Sequence, residues 1–456
     1  MTEDVTAPAH AVVVIGGACS GSVVAEVLAQ YGCKVVVFDQ NARPYGKIED
    51  GLPRWHTAQR LQEYDKINAR LDHPNVTYVP LTKLGRDVDF MDLAKGWGWS
   101  ALVLANGAWK DRPLDAPGAD EALDRGLVYQ NPFVYWFNHK NEANYDGPRY
   151  EVTDGAVVLG GGLASIDVIK IIQLELYGRA LRARGIAVDD VEMEHQGIPK
   201  YCQAHGIDDV ASLGVKGGLL VYRRRVIDMP LADAPKDASE KRRAKLGQVR
   251  EKILSKCQKN FLFQFEAQVL TKELLLEDGR LRAVSLWRTQ VEGRDATPIQ
   301  GSELEVATSL VISSIGSVPE PIPGIEMGGT YYKFKDWDTG EYEPIPGVFA
   351  AGNVITGQGN IKVSLDHGRF VGSYLAERYL GVADDRQRDV SAGAAAGEAR
   401  GAEVAAAVGE HLQTKAPLPA EAVNALLARA RARQREVDCD GDYAAWIKRV
   451  TPPDMQ

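Results

Sequence analysis

The chain has 456 residues, 45% hydrophobic and 25% charged, with a formal net charge of −9. This is the make-up of a globular protein of two or three domains, and its acidic balance excludes general nucleic-acid binding, which needs a basic surface. No apolar run reaches the roughly 18 residues that span a membrane, and the polar start MTEDVTAPAH resembles neither a signal nor a transit peptide, so a cytoplasmic location is expected.

In chain order, the first element is a buried-strand run, AVVVI (11–15). A Gly-rich turn follows with Gly16, Ala18 and Gly21 in the three key positions, then a helix from about Gly21 to Tyr31 and a strand, KVVVFD, ending at Asp39. In such a turn the first glycine makes the bend. The second lets a pyrophosphate approach the backbone, and the third lets helix and strand pack. The helix N-terminus then meets the phosphates with free N–H groups, and an acidic residue at the next strand end accepts from ribose hydroxyls. Asp39 supplies that carboxylate, whereas Ala18 brings a methyl to the second position. Cys19 sits in the same turn, as a small residue tolerated there or as a thiol beside a cofactor. The five cysteines, Cys19, Cys33, Cys202, Cys257 and Cys439, form no C-x-x-C pair. That excludes a vicinal redox disulfide and an all-cysteine cluster with closely spaced ligands, and no metal site is read.

Residues 41–53 are turn-rich and expected as a loop. Residues 57–72 have helical spacing, 75–79 form a short strand, and SALVLANGA (100–108) is a buried strand ending in a small-residue turn at Gly107. Residues 109–150 look like a connection. A second strand–turn–helix unit then opens, AVVLGGGLASIDVIKIIQLE (156–175), with Gly160, Gly162 and Ser165 in the key positions. Leu163 and Ala164 begin its helix, and Asp167 lies just inside. Its next strand, LLVY, runs into Arg223-Arg224-Arg225, where guanidinium groups suit a 2′-phosphate through paired charge-assisted bonds. NADPH is therefore expected over NADH. The alternative is a solvated basic strand end.

A charged helix is expected at about 238–258, then three strands with turns at Glu277-Asp278-Gly279 and near Gly301, a Pro-rich passage, and a final strand, Gly-rich turn and helix over 347–380. Residues 385–417 are Ala- and Gly-rich, and short helices are expected at 419–435 and 441–449. Alternating strands and helices imply a parallel-sheet α/β protein.

Several segments resemble adrenodoxin reductase and bacterial ferredoxin–NADP reductases, and more loosely the glutamate synthase small subunit, over about 11–381. RPYGKIEDGLPRWH (43–56), with Gly46, Lys47 and His56, is similar to the segment lying along FAD in that family. NPFVYWFN (131–138) is similar to its connection, with Trp136 packing on cofactor or core. GGGLASIDVIKI and VYRRRVIDMP look like its NADP elements, and SSIGSVP (313–319) with Gly316 like a closing FAD segment. GVFAAGNVITGQGNIKVSLDHG (347–368) brings Gly352, Asn353, Gly359, Asn360 and Ile361. Asn353 departs from the family, which usually has an acidic residue or Trp there.

The resemblance implies a glutathione-reductase-like architecture of two Rossmann-like domains: an FAD domain (1–150 and 310–384) with an inserted NADP domain (151–309), and a tail (385–456). It implies an NADPH-dependent flavoprotein oxidoreductase with FAD as second cofactor, delivering electrons to a ferredoxin-like iron–sulfur protein. His56 and Asp167 become candidates for positioning or proton relay near the flavin, or are structural. The helix at Ile361 should direct its N-terminus at the flavin. Lys241, Arg242, Arg243, Lys245, Arg250 and Lys252 form a docking face for an acidic partner, or simply a solvated helix face. The alternatives are an electron-input subunit of a larger glutamate-synthase-like enzyme, a flavin enzyme acting on a small organic substrate, and a non-catalytic nucleotide-binding protein.

Overall fold

The structure is a computed structural model that describes residues 4–142, 145–232, 239–383 and 414–452. Most of the expected Ala-rich linker, 385–417, lies outside the described residues. Contacts divide the chain into two units. The first comprises 1–48, 58–109 and 318–456, and the second 49–57 and 110–317.

Strand β1 (Ala11–Ile15) leads into helix α1 (Cys19–Gln30) and strand β2 (Lys34–Phe38); α2 (Thr57–Leu71), β3 (Val76–Val79) and β4 (Ala101–Leu104) follow. Then come β5 (Leu127–Tyr129), α3 (Gln130–His139), β6 (Val157–Gly160), α4 (Leu163–Ala183), α5 (Asp190–Gln196), α6 (Ile198–Ala204), β7 (Leu219–Tyr222) and α7 (Glu240–Phe261). The chain continues through β8 (Gln264–Ala267), β9 (Val269–Glu277), β10 (Arg280–Glu292), β11 (Asp295–Pro298), β12 (Leu304–Ala307) and β13 (Val311–Ser314). It closes with β14 (Val348–Ala350), α8 (Ile361–Tyr374), α9 (Ala420–Glu436) and α10 (Tyr443–Val450).

In the first unit the strands run in the order β14-β4-β1-β2-β3, all parallel. Every residue of β1 and β4 is buried, as expected of central strands covered on both faces. Helix α9 buries Val423, Leu426, Leu427 and Ala430, at helical spacing, in the cluster that contains Val13 and Val36. Side chains of the last two helices also hydrogen-bond the sheet side: Gln434 donates to the Tyr78 carbonyl (2.7 Å) and Trp446 to that of Ala42 (2.7 Å). The tail helices thus fold as part of the first unit.

The second unit repeats the plan with β5-β13-β6-β7-β8, again parallel, and adds an antiparallel meander, β9-β10-β11, with β12 on β10. This unit starts at Lys110 rather than at the expected 151, because the supposed connection contains β5 and α3, and β5 forms the sheet edge on β13. Residues 49–57 join it through Asn138. Its amide donates to the carbonyls of Glu49 (3.0 Å), Leu52 (3.1 Å) and Asp50 (3.3 Å), and its oxygen accepts the Arg54 N–H (3.0 Å). The expected loop 41–53 contains one helical turn, Lys47–Asp50. Among the described residues no helix is long and apolar enough to cross a membrane.

Helix α1 begins two residues earlier than expected because the turn closes at once: the Ala18 carbonyl accepts the Ser22 N–H (2.9 Å). A Cβ on Gly21 would lie 1.8 Å from the Gly16 carbonyl oxygen, a backbone atom that cannot yield. Gly21→Ala is therefore expected to cost about 3 kcal/mol or more, read as a lowered midpoint in thermal unfolding; an unchanged midpoint would contradict this close approach.

Candidate functional site

In the first unit the Gly-rich turn is fixed from both sides. The Gly16 N–H donates to the Phe38 carbonyl (2.7 Å), and the Gly17 N–H to Asp39 Oδ2 (2.7 Å). Asp39 Oδ1 accepts the Asn41 N–H (2.9 Å). The buried Asp39 carboxylate therefore holds the turn's own backbone, a task that the ribose-binding expectation had not included. Helix α1 has no side-chain cap at Ala18 and no acidic residue in its first turn, which leaves N–H groups of that turn for an anion.

The Ala18 methyl faces Gly46, whose Cβ, if present, would lie 3.0 Å away. Lys47 Nζ lies 5.6 Å from the Trp109 ring centroid, and a Cβ on Gly107 would come 3.7 Å from Trp109 Nε1. Ala18, Gly46, Lys47 and Gly107 are thus gathered with Trp109. This tryptophan was missed from sequence, where its only signal is its place two residues beyond Gly107. On the other flank, Ser20 Oγ donates to the Ala351 carbonyl (3.1 Å), and a Cβ on Gly352 would lie 2.3 Å from that hydroxyl oxygen. Two side-chain oxygens beyond the carboxyl ends of the strands, Asn106 Oδ1 and Asn353 Oδ1, are buried without a partner among the described residues. This is the edge of a parallel sheet at which ligands bind in α/β folds, and unpaired buried acceptors are rare in folded proteins.

Cys19 lies near this turn as an inert thiol: burial, and next the Glu63 carboxylate, pushes its pKa up to about 12. At Asn360 the expectation needs modification. Helix α8 does begin at Ile361, but Asn360 Oδ1 already accepts the Lys362 N–H (2.9 Å) and approaches that of Val363 (3.4 Å). Two of the N–H groups expected to face a flavin are therefore capped internally. Around Gly359 no atom lies within 4 Å of where a Cβ would be.

In the second unit Ser165 occupies the third motif position and seals the turn with its hydroxyl, which bonds the Ser314 carbonyl (3.1 Å) and Oγ (3.0 Å). A Cβ on Gly160 would lie 2.3 Å from Ser165 Oγ and from the Ser314 carbonyl oxygen, so a glycine is required there. A Cβ on Gly162 would meet only Pro230 Cγ, at 3.8 Å, α4 has no side-chain cap, and Leu163 is 54% exposed, which leaves N–H groups of the first turn of α4 for a ligand. The three arginines past β7 separate. Arg225 is tied to Asp228 (2.8 and 3.1 Å), and Arg224 donates through Nε to Tyr222 Oη (3.0 Å). The exposed Arg223 guanidinium has no partner among the described residues. Gly316, expected in a flavin-closing segment, belongs to the second unit, where its carbonyl accepts the Arg112 N–H (2.9 Å).

His56 and Asp167 come together, with Nε2 3.7 Å from Oδ1. Lys170 Nζ lies 3.9 Å from the same oxygen and pairs closely with Glu194, over the Trp55 ring at 4.6 Å. Trp136 is buried in the core beside Phe133 and Tyr150. On α7, Lys241, Arg242, Arg243, Lys245 and Lys252 are exposed. Arg250 does not extend that face, because its guanidinium donates to the carbonyls of Ile227 (2.6 Å) and Ala232 (2.7 Å).

Two Rossmann-like units, the second inserted in the chain of the first, each with a Gly-rich turn at a parallel sheet, make up the expected glutathione-reductase-like architecture. The solved structure of FprA from Mycobacterium tuberculosis in complex with NADPH has this fold: it matches with a TM-score of 0.63 at 16% identity, over 94% of this chain and 91% of that one. No family model matches the chain. Curated relatives include the mitochondrial NADPH:adrenodoxin oxidoreductase of Arabidopsis thaliana, 28% identical over 166 residues, 36% of this chain and 33% of that protein. The putative oxidoreductase UacF of Escherichia coli is 23% identical over 384 residues, 78% of this chain and 49% of that protein. The glutamate synthase [NADPH] small chain of Azospirillum brasilense is 24% identical over 374 residues, 78% of this chain and 64% of that protein. The chain thus spans from a third to just under two thirds of the length of these relatives, and the first and third are of the kind its segments resemble.

The first-unit site contains one pH-sensitive support. His367 Nδ1 accepts the Gly352 N–H (3.0 Å), and Nε2 pairs with the Asp338 carbonyl (3.0 Å), so the ring is neutral. Burial lowers its pKa below the usual 6.5. With a folded pKa below the unfolded one, this contribution is complete above pH 6.5 and is lost as pH falls from there toward the folded value. Thermal unfolding at pH 7.5 and 5.5 is expected to show a smaller acid loss in His367→Gln than in the parent; equal losses would contradict the role of the neutral ring.

Proposed function

We propose that this protein is an NADPH-dependent flavoprotein oxidoreductase, with FAD in the first unit and NADPH in the second, that passes electrons to a ferredoxin-like iron–sulfur protein. The observation that carries the proposal is the asymmetry between two otherwise equivalent Gly-rich turns. The strand after the first turn ends at Asp39, whose carboxylate bonds that turn, and the strand after the second runs into Arg223, whose exposed guanidinium has no partner among the described residues. A carboxylate at that strand end suits ribose hydroxyls, and an arginine suits a 2′-phosphate.

FAD, when bound, supplies the hydride and single-electron chemistry, while the protein holds and orients it. The first-turn N–H groups of α1, with Gly16, Ala18 and Gly21 shaping their approach, would take its pyrophosphate. A carboxylate has about four acceptor sites, so Asp39 can serve both the turn and a ribose. The buried oxygens of Asn106 and Asn353 lack donors among the described residues; hydroxyls and ring N–H groups of FAD supply donors, whereas phosphates at neutral pH supply only acceptors. Asn353 therefore suits the sugar-like or ring portion better than the phosphates. In the second unit the backbone of Leu163 and Ala164 would take the NADPH pyrophosphate, and Arg223 with Arg224 its 2′-phosphate. His56, 3.7 Å from Asp167, would be a positioning group. Lys241, Arg242, Arg243 and Lys245 offer the cationic face that an acidic iron–sulfur protein would use.

A second reading, electron input to a larger glutamate-synthase-like assembly, is favoured by the small-chain relative that matches 78% of this chain. Stable co-purification with a large partner would select it. The primary test is anaerobic reduction by each nucleotide. Bound flavin is expected to bleach faster with NADPH than with NADH, and Arg223→Ala to raise KM for NADPH about tenfold or more with little effect on NADH, since charge-assisted bonds to the 2′-phosphate are lost. An unchanged ratio of the two nucleotides would contradict the assignment of Arg223.

A further inference from the structure

We propose that the second unit carries another ligand site, for a small dianion of the phosphate-monoester class, at the end of α4 opposite its Gly-rich turn. The site is a cleft of about 510 Å³ whose lining includes Trp136, Lys140, Arg149, Tyr150, Arg182 and Asp190. That volume lies within the range of small-molecule pockets. Arg182 lies nineteen residues along α4 from Leu163, roughly 28 Å at 1.5 Å per residue, so the cleft is separate from the dinucleotide turn.

The charges in the lining do not balance. Lys140, Arg149 and Arg182 face the single carboxylate of Asp190, a surplus of two positive charges. Asp190 is shared: Arg182 reaches it at 3.5 Å and Lys140 at 3.9 Å, while Arg54 outside the lining reaches it at 3.0 Å. Lys140 also pairs closely with Glu175, so Arg54 and Glu175 cancel and the surplus stands. Nearby His139 lies between Asp50 (3.3 Å) and Glu142 (2.7 Å), one cation against two carboxylates, so the positive surplus belongs to the lining itself and not to its wider surroundings.

Arg149 has no carboxylate partner among the described residues. Its guanidinium makes one long bond to the Lys140 carbonyl (3.4 Å) and lies 5.3 Å from the Tyr145 ring centroid. Arg149 is exposed and the Arg182 side chain is 46% exposed, so both planar forks are accessible to a ligand. Planar guanidinium groups recognise phosphate oxygens in pairs, and two of them match a dianion. Trp136 and Tyr150, edge to face at 5.8 Å, give the cleft an aromatic wall, which favours an ester carrying a ring over a bare ion.

The proposal does not depend on how the two Gly-rich turns are read. Its test is equilibrium dialysis of the full chain with phenyl phosphate at 150 mM salt, with benzoate as the singly charged comparison. Arg149→Ser/Arg182→Ser is expected to bind phenyl phosphate at least about tenfold more weakly, while Arg223→Ala binds as the parent does and benzoate binds far more weakly than the phosphate. Asp190 keeps Arg54 and Lys140 in the double variant, so the fold should be unchanged, which circular dichroism checks. Phenyl phosphate binding that is absent from the parent, equal in the double variant, or lost only in Arg223→Ala would overturn the proposal.

Discussion

Everything at the first site depends on how closely helix α1 approaches strand β1. The 1.8 Å separation between the Gly16 carbonyl oxygen and a Cβ at Gly21 leaves room for a hydrogen atom and nothing larger. That contact sets where the helix starts, and therefore where its uncapped N–H groups lie. It also brings Ser20 against Ala351, which ties the closing strand to the same turn. A Cβ on Gly368 would lie 2.7 Å from the Ser20 carbonyl oxygen, so α8 packs on α1 just as closely. One constraint thus places β14, α8 and the buried Asn353 oxygen around a single helix start.

The second unit reaches the same geometry with different chemistry. Its third motif position is Ser165, whose hydroxyl fills the space and bonds Ser314 on the neighbouring strand. A hydrogen-bonded serine thus stands where the first unit uses bare proximity. The units then diverge at the next strand end, with a buried carboxylate at Asp39 in one and an exposed guanidinium at Arg223 in the other. The same fold presents opposite charge, and opposite charge distinguishes one dinucleotide from another.

Much of this was legible in the sequence because it is local. The central strands of both sheets are short, mainly apolar, buried runs, and the Gly-rich turns declare themselves by spacing. What escaped depends on distant residues. Helix α3 is aromatic and polar in no regular order, and it is fixed by Asn138 bonding to residues nearly ninety positions away. Helices α5 and α6 are short and interrupted by Gly197, so no periodic pattern spans them. Trp109 is a lone aromatic after a turn, placed only when Gly46 and Lys47 fold against it. Arg250 reads as surface charge, and only its bonds to Ile227 and Ala232 reveal that it braces the chain. Asn360 likewise reads as a helix start, but its internal cap appears only in three dimensions.

The central claim is that the Gly16–Gly21 turn, with the buried oxygens of Asn106 and Asn353, holds FAD. The most direct measurement is the visible spectrum of the full chain after incubation with FAD and removal of unbound cofactor. The account predicts flavin bands at about one FAD per chain, and their weakening in Asn353→Leu, which removes the unpaired acceptor while approximately keeping side-chain size. A chain that stays colourless while correctly folded, or that retains FAD equally well in Asn353→Leu, would contradict it.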